Sequence, residues 1–365
     1  MNNPKWKQKG KEVDFSFLTK ERIITLDDAI KAGKIDTAVW HVKEFTWNKW
    51  EMGYVNTKKL AAVVPLIQVK LRLVRRFEQR LEKCAEILFK KLKNLPTITL
   101  APPKVRGDNL LELCLFDAHL GKYTWALETG DNQDTKIQSR VFLEAANKLI
   151  ANRKGDYDRI MIPLGNDFFQ VDNWLGTTTA GTHVDNDGRY TNVFDVGVQS
   201  VIKMITWCLP IAPVDLIWIP GNHDQSTSYY LAECIKYRFH DNPNVKVDVG
   251  PSPRKYYNYG KTLLGLTHGD QEKISSLPII MAQEQPKLWS QTHCREWHKG
   301  HDHRKMEFFT QNVDESTGVI IRSMESISGT DSWHHKKGYI GNTKAAEAYT
   351  FNKEEGYVGH ALARI

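Results

Sequence analysis

The chain of 365 residues is 41% hydrophobic, 25% charged and 10% aromatic, the proportions of a folded globular protein, which exclude disorder for most of its length. No apolar run reaches the ~18–20 residues of a membrane helix, and the basic start MNNPKWKQKGKEVDF lacks an apolar core and a small-residue cleavage site, so a soluble cytoplasmic protein that spans no membrane is expected. The net charge of +7 is unevenly spread: residues 1–95 hold 21 Lys and Arg against 11 Asp and Glu, a net +10, leaving the other 270 residues at −3. Such asymmetry fits a polyanion-facing module, residues 1–95, on a nearly neutral body, residues 105–365. The five cysteines form no CxxC pair and read as free thiols in a reducing compartment.

In chain order, Thr25-Leu26-Asp27-Asp28 is a capping-box pattern, which predicts a short helix to about Ala32 stopped by Gly33. Residues 36–51 set Trp40, Phe45, Trp47 and Trp50 among Lys43 and Lys49. These rings suit either the core of a small helical module or stacking on nucleobases. Residues 66–94 place Ile67, Leu71, Val74, Leu81, Leu88 and Leu92 on an approximate helical stripe. They predict one long basic helix, begun at Pro65, that either lies along phosphates or packs with a solvated cationic face. Its candidate nucleic-acid contacts are Arg72, Arg75, Arg76, Arg80 and Lys83. Pro96 and Ala101-Pro102-Pro103 then punctuate the chain and mark the boundary.

From residue 110 the pattern becomes α/β. LELCLF (111–116), RIMIPL (159–164) and DLIWIP (215–220) are strand-like, with helix-like spacing over 134–152 and 193–207. Residues 245–249, 262–268, 306–310 and 318–324 add further strands. The apolar runs end in chemistry: Asp117-Ala118-His119, Gly165-Asn166-Asp167, Gly221-Asn222-His223-Asp224 and His268-Gly269-Asp270, with Gly300-His301-Asp302-His303 later. Loops at the carboxyl ends of strands converge in α/β sheets. Residues two apart on extended chain point the same way, so Asp117/His119 and His301/His303 can each serve one site. Three or four imidazoles, two carboxylates and an amide suit two divalent transition ions. The long polar loop 170–190 is a candidate substrate rim. His293, Cys294 and His298 match no common zinc-finger spacing.

These five blocks, in this order across residues 117–303, resemble the calcineurin-like metallophosphoesterases. The resemblance implies an α/β (α+β) body, a two-sheet β-sandwich flanked by helices, here with a basic helical N-terminal appendage. It implies Asp117, His119 and His303 on one metal, Asp167 bridging, and Asn222, His268 and His301 on the second. His223 would be the catalytic acid and Asp224 its orienting partner. The sequence departs from the family in placing Asn166 between Gly165 and Asp167, with Asp172 as a fallback bridge.

The expected activity is that of a phosphodiesterase hydrolysing nucleic acid, DNA foremost. A hydroxide bridging two divalent ions would attack phosphorus while His223 protonates the leaving group. Manganese is the favoured cofactor, with iron, zinc and magnesium compatible. A homodimer is compatible with the sequence. The alternative is a phosphoesterase for a small nucleotide, cyclic nucleotide or phosphoprotein, with the N-terminal module as a docking surface. A third reading, a DNA-binding adaptor on a silent body, sits poorly with an intact Asn222-His223-Asp224.

Overall fold

The computed structural model describes residues 4–9, 12–19, 23, 25–37, 39–55, 61–75, 86, 90, 107–301, 306–309, 318–336, 338 and 344–365. They divide into two compact units, Met1–Ile87 and Leu88–Ile365.

The first unit is built on a β-sheet where a helical module is expected; of the expected helix over 66–94, residues 66–75 are strand, Glu86 and Lys90 are helical, and the rest lies outside the described residues. Strands β1 (Lys5–Lys9), β2 (Glu12–Thr19), β3 (Trp40–Val55) and β4 (Ala61–Arg75) form an antiparallel sheet in the order β1-β2-β4-β3. The stretch expected to begin a long helix is instead β4, and the reason is period. Ile67, Val69, Leu71 and Leu73 alternate and are all buried, packing with Phe15, Phe17 and Ala29, whereas a helix would turn successive members of this set ~100° per residue apart. Pro65 pairs only with Glu51 of β3, because β2 pairs with residues 67–74, so its missing N–H costs the ladder on one side alone. The aromatic stretch is β3, with Trp40, Phe45 and Trp47 on a strand rather than a helix. Helix α1 (Leu26–Gly33) forms as expected: Thr25 and Asp28 exchange both capping-box hydrogen bonds, and the left-handed residue at its end is Lys34.

The second unit is a mixed α/β structure with four layers. A six-stranded sheet has the order β15-β14-β5-β6-β7-β8. Its parallel strands are β5 (Asn109–Cys114), β6 (Arg159–Gly165), β7 (Val214–Ile219) and β8 (Val245–Asp248). A five-stranded sheet combines β9 (Lys255–Tyr259), β10 (Thr262–Thr267), β11 (Cys294–Lys299), β12 (Met306–Phe309) and β13 (Val319–Ser323) in the order β12-β13-β11-β10-β9. Strands β14 (Ala345–Asn352) and β15 (Gly356–Arg364) return antiparallel to the first sheet.

Between the sheets, Leu110, Phe116, Met161 and Ile219 meet Leu264, Leu266 and Met324. On the outer face of the first sheet, Leu111, Leu113, Ile160 and Leu216 pack against helices Thr135–Ala151, Tyr190–Cys208 and Gln225–Arg238. The outer face of the second takes Leu277 and Met281 against Leu263 and Trp297. Strands buried on both faces explain the continuous apolar runs in the sequence. No helix among the described residues is long and apolar enough to cross a membrane.

The same arrangement sets where chemistry can occur. β5, β6 and β7 run parallel in one sheet, and β10 and β11 run parallel in the other. The motif residues follow the carboxyl ends of these five strands.

Candidate metal centre

Five short loops build the centre, and three of them carry left-handed backbone at non-glycine residues. Asp117, His119, Asn166, Asp167 and His301 all have positive φ, between 46° and 71°, and the only other such non-glycine residue among those described is Lys34. Each such residue costs on the order of 1–3 kcal/mol and persists where surrounding structure over-determines it. Here backbone hydrogen bonds do that: Asp117 N donates to Asn166 O at 3.0 Å, His119 N to Asp167 O at 2.9 Å, and Asn166 N to Ile219 O at 3.0 Å. Ser326 Oγ donates to Asp117 O at 2.8 Å.

Two ligand groups meet at one carboxylate. His119, Asp167 and His223 form one set and Asp167, His268 and His301 the other, with one donor atom from each residue within 4.8 Å of its companions. Asn222 joins the second group: its Oδ1 lies 2.7 Å from His268 Nε2 and 3.1 Å from His301 Nδ1. Asp167 Oδ2 is 3.3 Å from the same His268 nitrogen, so an amide oxygen, a carboxylate oxygen and two imidazole nitrogens converge. Asp117 is anchored beside them, accepting from His301 N at 3.1 and 3.2 Å.

Glycine makes these approaches feasible. A methyl group on Gly221 would sit 2.1 Å from Asp167 Oδ1, and one on Gly300 would sit 2.7 Å from Asp117 Oδ2.

The electrostatics are those of a buried mixed-charge cluster. Burial pushes the Asp117 carboxyl up to about 7, with Asp167 adding to the shift and His268 opposing it. Burial would also raise Asp167, but the His268 charge and hydrogen bond, helped by His223, hold it below the usual carboxylate range. His268 is the reverse case: burial lowers it, and Asp167 more than compensates, raising it to about 9. His268 and Asp167 thus hold each other in their charged forms, the imidazole nitrogen 3.3 Å from the carboxylate. A divalent cation can replace the imidazolium proton, since its ligands must be a neutral imidazole and an ionised carboxylate.

The donor set therefore fits metal: hard carboxylate and amide oxygens with imidazole nitrogens. Asn166 strengthens the fit. It is fully buried and both its amide atoms lack hydrogen-bond partners, a cost of about 1–3 kcal/mol that a bound group or water would relieve.

The expected residues thus lie as follows. Asp117, His119, Asp167, Asn222, His223, His268 and His301 are brought together; His303 lies outside the described residues. His223 is half-buried, its Nδ1 3.0 Å from the Gln170 carbonyl oxygen and its backbone N–H donating to Asp167 Oδ1 at 2.8 Å. Asp224 was expected to orient that ring. Instead its Oδ2 accepts from Phe169 N at 2.8 Å, and burial drives its carboxyl well above the usual range. The fallback Asp172 accepts from Thr227 N and Thr179 Oγ1, bracing the 170–190 loop.

In the first unit, Arg72 lies on β4 among the carboxylates of Glu12, Asp14 and Glu44. Arg75 is the last residue of that strand. Arg76, Arg80 and Lys83 lie outside the described residues.

Sequence reasoning missed Lys122 and Gln170. Lys122 is buried, its ammonium 3.2 Å from Gly329 O and 3.4 Å from Asp331, and burial lowers its pKa. Neither residue belongs to a motif; only the fold reveals them. A further group, Glu112, Cys114 and His298, also lies within ligand distance. Both His298 nitrogens are there taken by Glu112 and Glu296, and Arg322 continues the chain, so it reads as a buried ion network. Compared with known proteins, the chain matches no protein-family model and no curated protein.

Proposed function

We propose that this protein is a binuclear metal-dependent phosphoesterase of the calcineurin-like type, acting on phosphodiester bonds of nucleic acid. The observation that carries the proposal is the convergence on Asp167 of His119 on one side and His268 and His301 on the other, with His223 beside the first group as the proton donor, at the carboxyl ends of β5, β6 and β7 in one sheet and β10 and β11 in the other. Asp117 and His119, with His303, would hold one divalent ion, and Asn222, His268 and His301 the other, with Asp167 common to both. Such ions, manganese foremost, supply Lewis acidity toward water and neutralise phosphoryl charge.

The chain's own groups do the rest. The Gln170 carbonyl accepts from Nδ1–H of His223, which leaves Nε2 to face the substrate. A protonated Nε2 can deliver its proton to the leaving oxygen. The His223 backbone N–H on Asp167 fixes that imidazole relative to the shared carboxylate. Asp224 acts one step further out, holding the Phe168-Phe169-Gln170 turn that presents the carbonyl.

One observation favours the second reading, a small-molecule phosphoesterase. Arg72, expected to meet phosphate, is already surrounded by three carboxylates. A panel with added manganese separates the readings: single- and double-stranded DNA, RNA, cyclic nucleotides and a chromogenic diester. Metal analysis after loading and desalting should approach two ions per chain. A protein that retains no metal and turns over no substrate of the panel would refute the proposal.

A further inference from the structure

The segment that leaves His119 alternates in an inverted sense. Lys122 and Thr124 are buried, at 1% and 5% exposure, while Tyr123 and Trp125 stand out at 50% and 55%. On extended chain the usual rule is apolar in and polar out; here the polar side chains point inward and the large rings outward. The inversion has a local cause. The Lys122 ammonium is drawn in by Gly329 O and Asp331, and Thr124 Oγ1 donates to Asp131 O at 2.8 Å.

The two rings are mounted rigidly. The Lys122 stretch bridges to Asn186 and the Thr124 stretch to Gln133. Thr124 exchanges both backbone hydrogen bonds with Gln133 at 3.1 Å, Lys122 N donates to His119 O at 2.9 Å, and Ala126 N donates to Asn132 Oδ1 at 2.7 Å. Residues two apart on a strand lie about 6.6 Å apart on one face, so each ring can take a planar group of its own. Ordering them costs little on binding, because their backbone is already fixed.

We propose that Tyr123 and Trp125 form a stacking platform for unpaired nucleobases of a single-stranded nucleic acid whose backbone runs to the metal centre. The proposal rests on the phosphodiesterase reading above and names its substrate class. Three observations choose this occupant over an apolar protein surface. The rings share one short segment with His119, four and six residues beyond it, and so stand beside the centre along the chain. Tyr and Trp offer broad faces with polar edges, the chemistry that stacks on bases without sequence preference. The surrounding charge permits a polyanion: Asp131 is engaged by Lys344 and Gln133, Asp187 accepts from Thr135 N and Asp185 from Ser332 Oγ, with Glu128 the exposed acid on the helix that follows Trp125. The helix Ser332–Lys336 packs by the helix Ala126–Thr129 that follows Trp125, and it brings an exposed Lys336.

The test uses the full chain with EDTA present, so that nothing is cut, and reads fluorescence anisotropy of a labelled 20-nucleotide oligothymidylate and of an abasic strand of equal length. The wild type should bind the thymidylate more tightly. Trp125→Ala should weaken that binding about tenfold or more, the worth of one stacked base, Tyr123→Ala should weaken it less, and Trp125→Phe should restore most of it. As a measurement needing no variant, an oligonucleotide carrying 5-iodouracil should crosslink on irradiation to Tyr123 or Trp125. The proposal is overturned if Trp125→Ala binds thymidylate like the wild type, if it loses equally on the abasic strand, or if crosslinks form only elsewhere. Hydrolysis of bis(p-nitrophenyl) phosphate by the wild type with manganese reports on the metal centre separately. Turnover without base-dependent binding overturns the platform alone, and base-dependent binding without turnover overturns the phosphoesterase reading alone.

Discussion

Gly221→Ala is the sharpest single probe of the centre, because the added methyl group has a calculable destination. It would lie 2.1 Å from Asp167 Oδ1, 2.4 Å from Asp167 N and 2.8 Å from Asp224 Oδ1, where real Cβ contacts essentially never fall under 3.0 Å. Asp167 and the Gly221 backbone must therefore separate by about 0.9 Å. The separation is opposed on every side. Asp167 Oδ1 accepts from His223 N, Oδ2 faces His268, and its carbonyl accepts from His119 N. Overpacking of this kind costs about 1–3 kcal/mol, which for a unit this size lowers the melting temperature by about 2–4 °C per kcal/mol. If Asp167 is the shared ligand, the displacement should also weaken metal binding about 10–100-fold, as perturbing a ligand's support does. The assay is calorimetric unfolding with and without manganese, alongside metal titration. Gly359→Ala is the control: its methyl group would meet nothing closer than 3.6 Å. A Gly221→Ala protein that melts and binds manganese like the Gly359→Ala control would refute both the geometry and the role given to Asp167.

Three further outcomes are expected. His223→Ala should keep its metal but lose about 10²–10⁴-fold in diester turnover, the worth of a general acid, whereas Asp167→Ala should lose metal and turnover together; full activity in His223→Ala would remove that residue from the mechanism. His298 is raised to about 9, since Glu112 and Glu296 outweigh the burial that alone would lower it. A raised histidine stabilises fully below its unfolded value of about 6.5 and loses that contribution as pH climbs through about 9, so stability should fall by up to about 3 kcal/mol across that window. His268, also raised to about 9, contributes over the same window, so His298→Gln should be less stable at neutral pH and show a shallower slope than the wild type; an unchanged slope in denaturant titrations would assign it wholly to other groups. In the first unit, Val69→Lys should destabilise the fold strongly while Lys70→Val does not, because Val69 is fully buried and Lys70 exposed; equal effects in thermal unfolding would count against the strand.

Legibility in the sequence followed the number of constraints acting on each segment. β5, β6, β7 and β10 are readable because strands covered on both faces are largely apolar, as RIMIPLG and TLLGLT are, with Glu112 the exception in β5. The centre was readable for a related reason. Its residues occupy strand ends, where a glycine beside His, Asp or Asn marks a close backbone approach. β11 was not readable, since CREWHK carries charges at positions that turn out to be interior, and only the partners Glu112 and Arg322 from other strands make His298 and Glu296 tolerable there. β14, AAEAYTFN, has the composition of a helix and is a strand because β5 and β15 flank it.

β4 is ambiguous for a different reason. Ile67 and Leu71 fit a helical stripe as well as an alternating one, and only the burial of Val69 and Leu73 breaks the tie in favour of a strand. On the strand Lys70 and Arg72 occupy the face opposite the core, where Arg72 finds Asp14 of β2 on one side and Glu44 of β3 on the other. Part of the positive charge of the first unit is thus spent on cross-strand pairs within its own sheet. Any nucleic-acid contact by that unit must fall to cations without such partners, of which Lys70, exposed on the same face of β4, is the nearest along the strand.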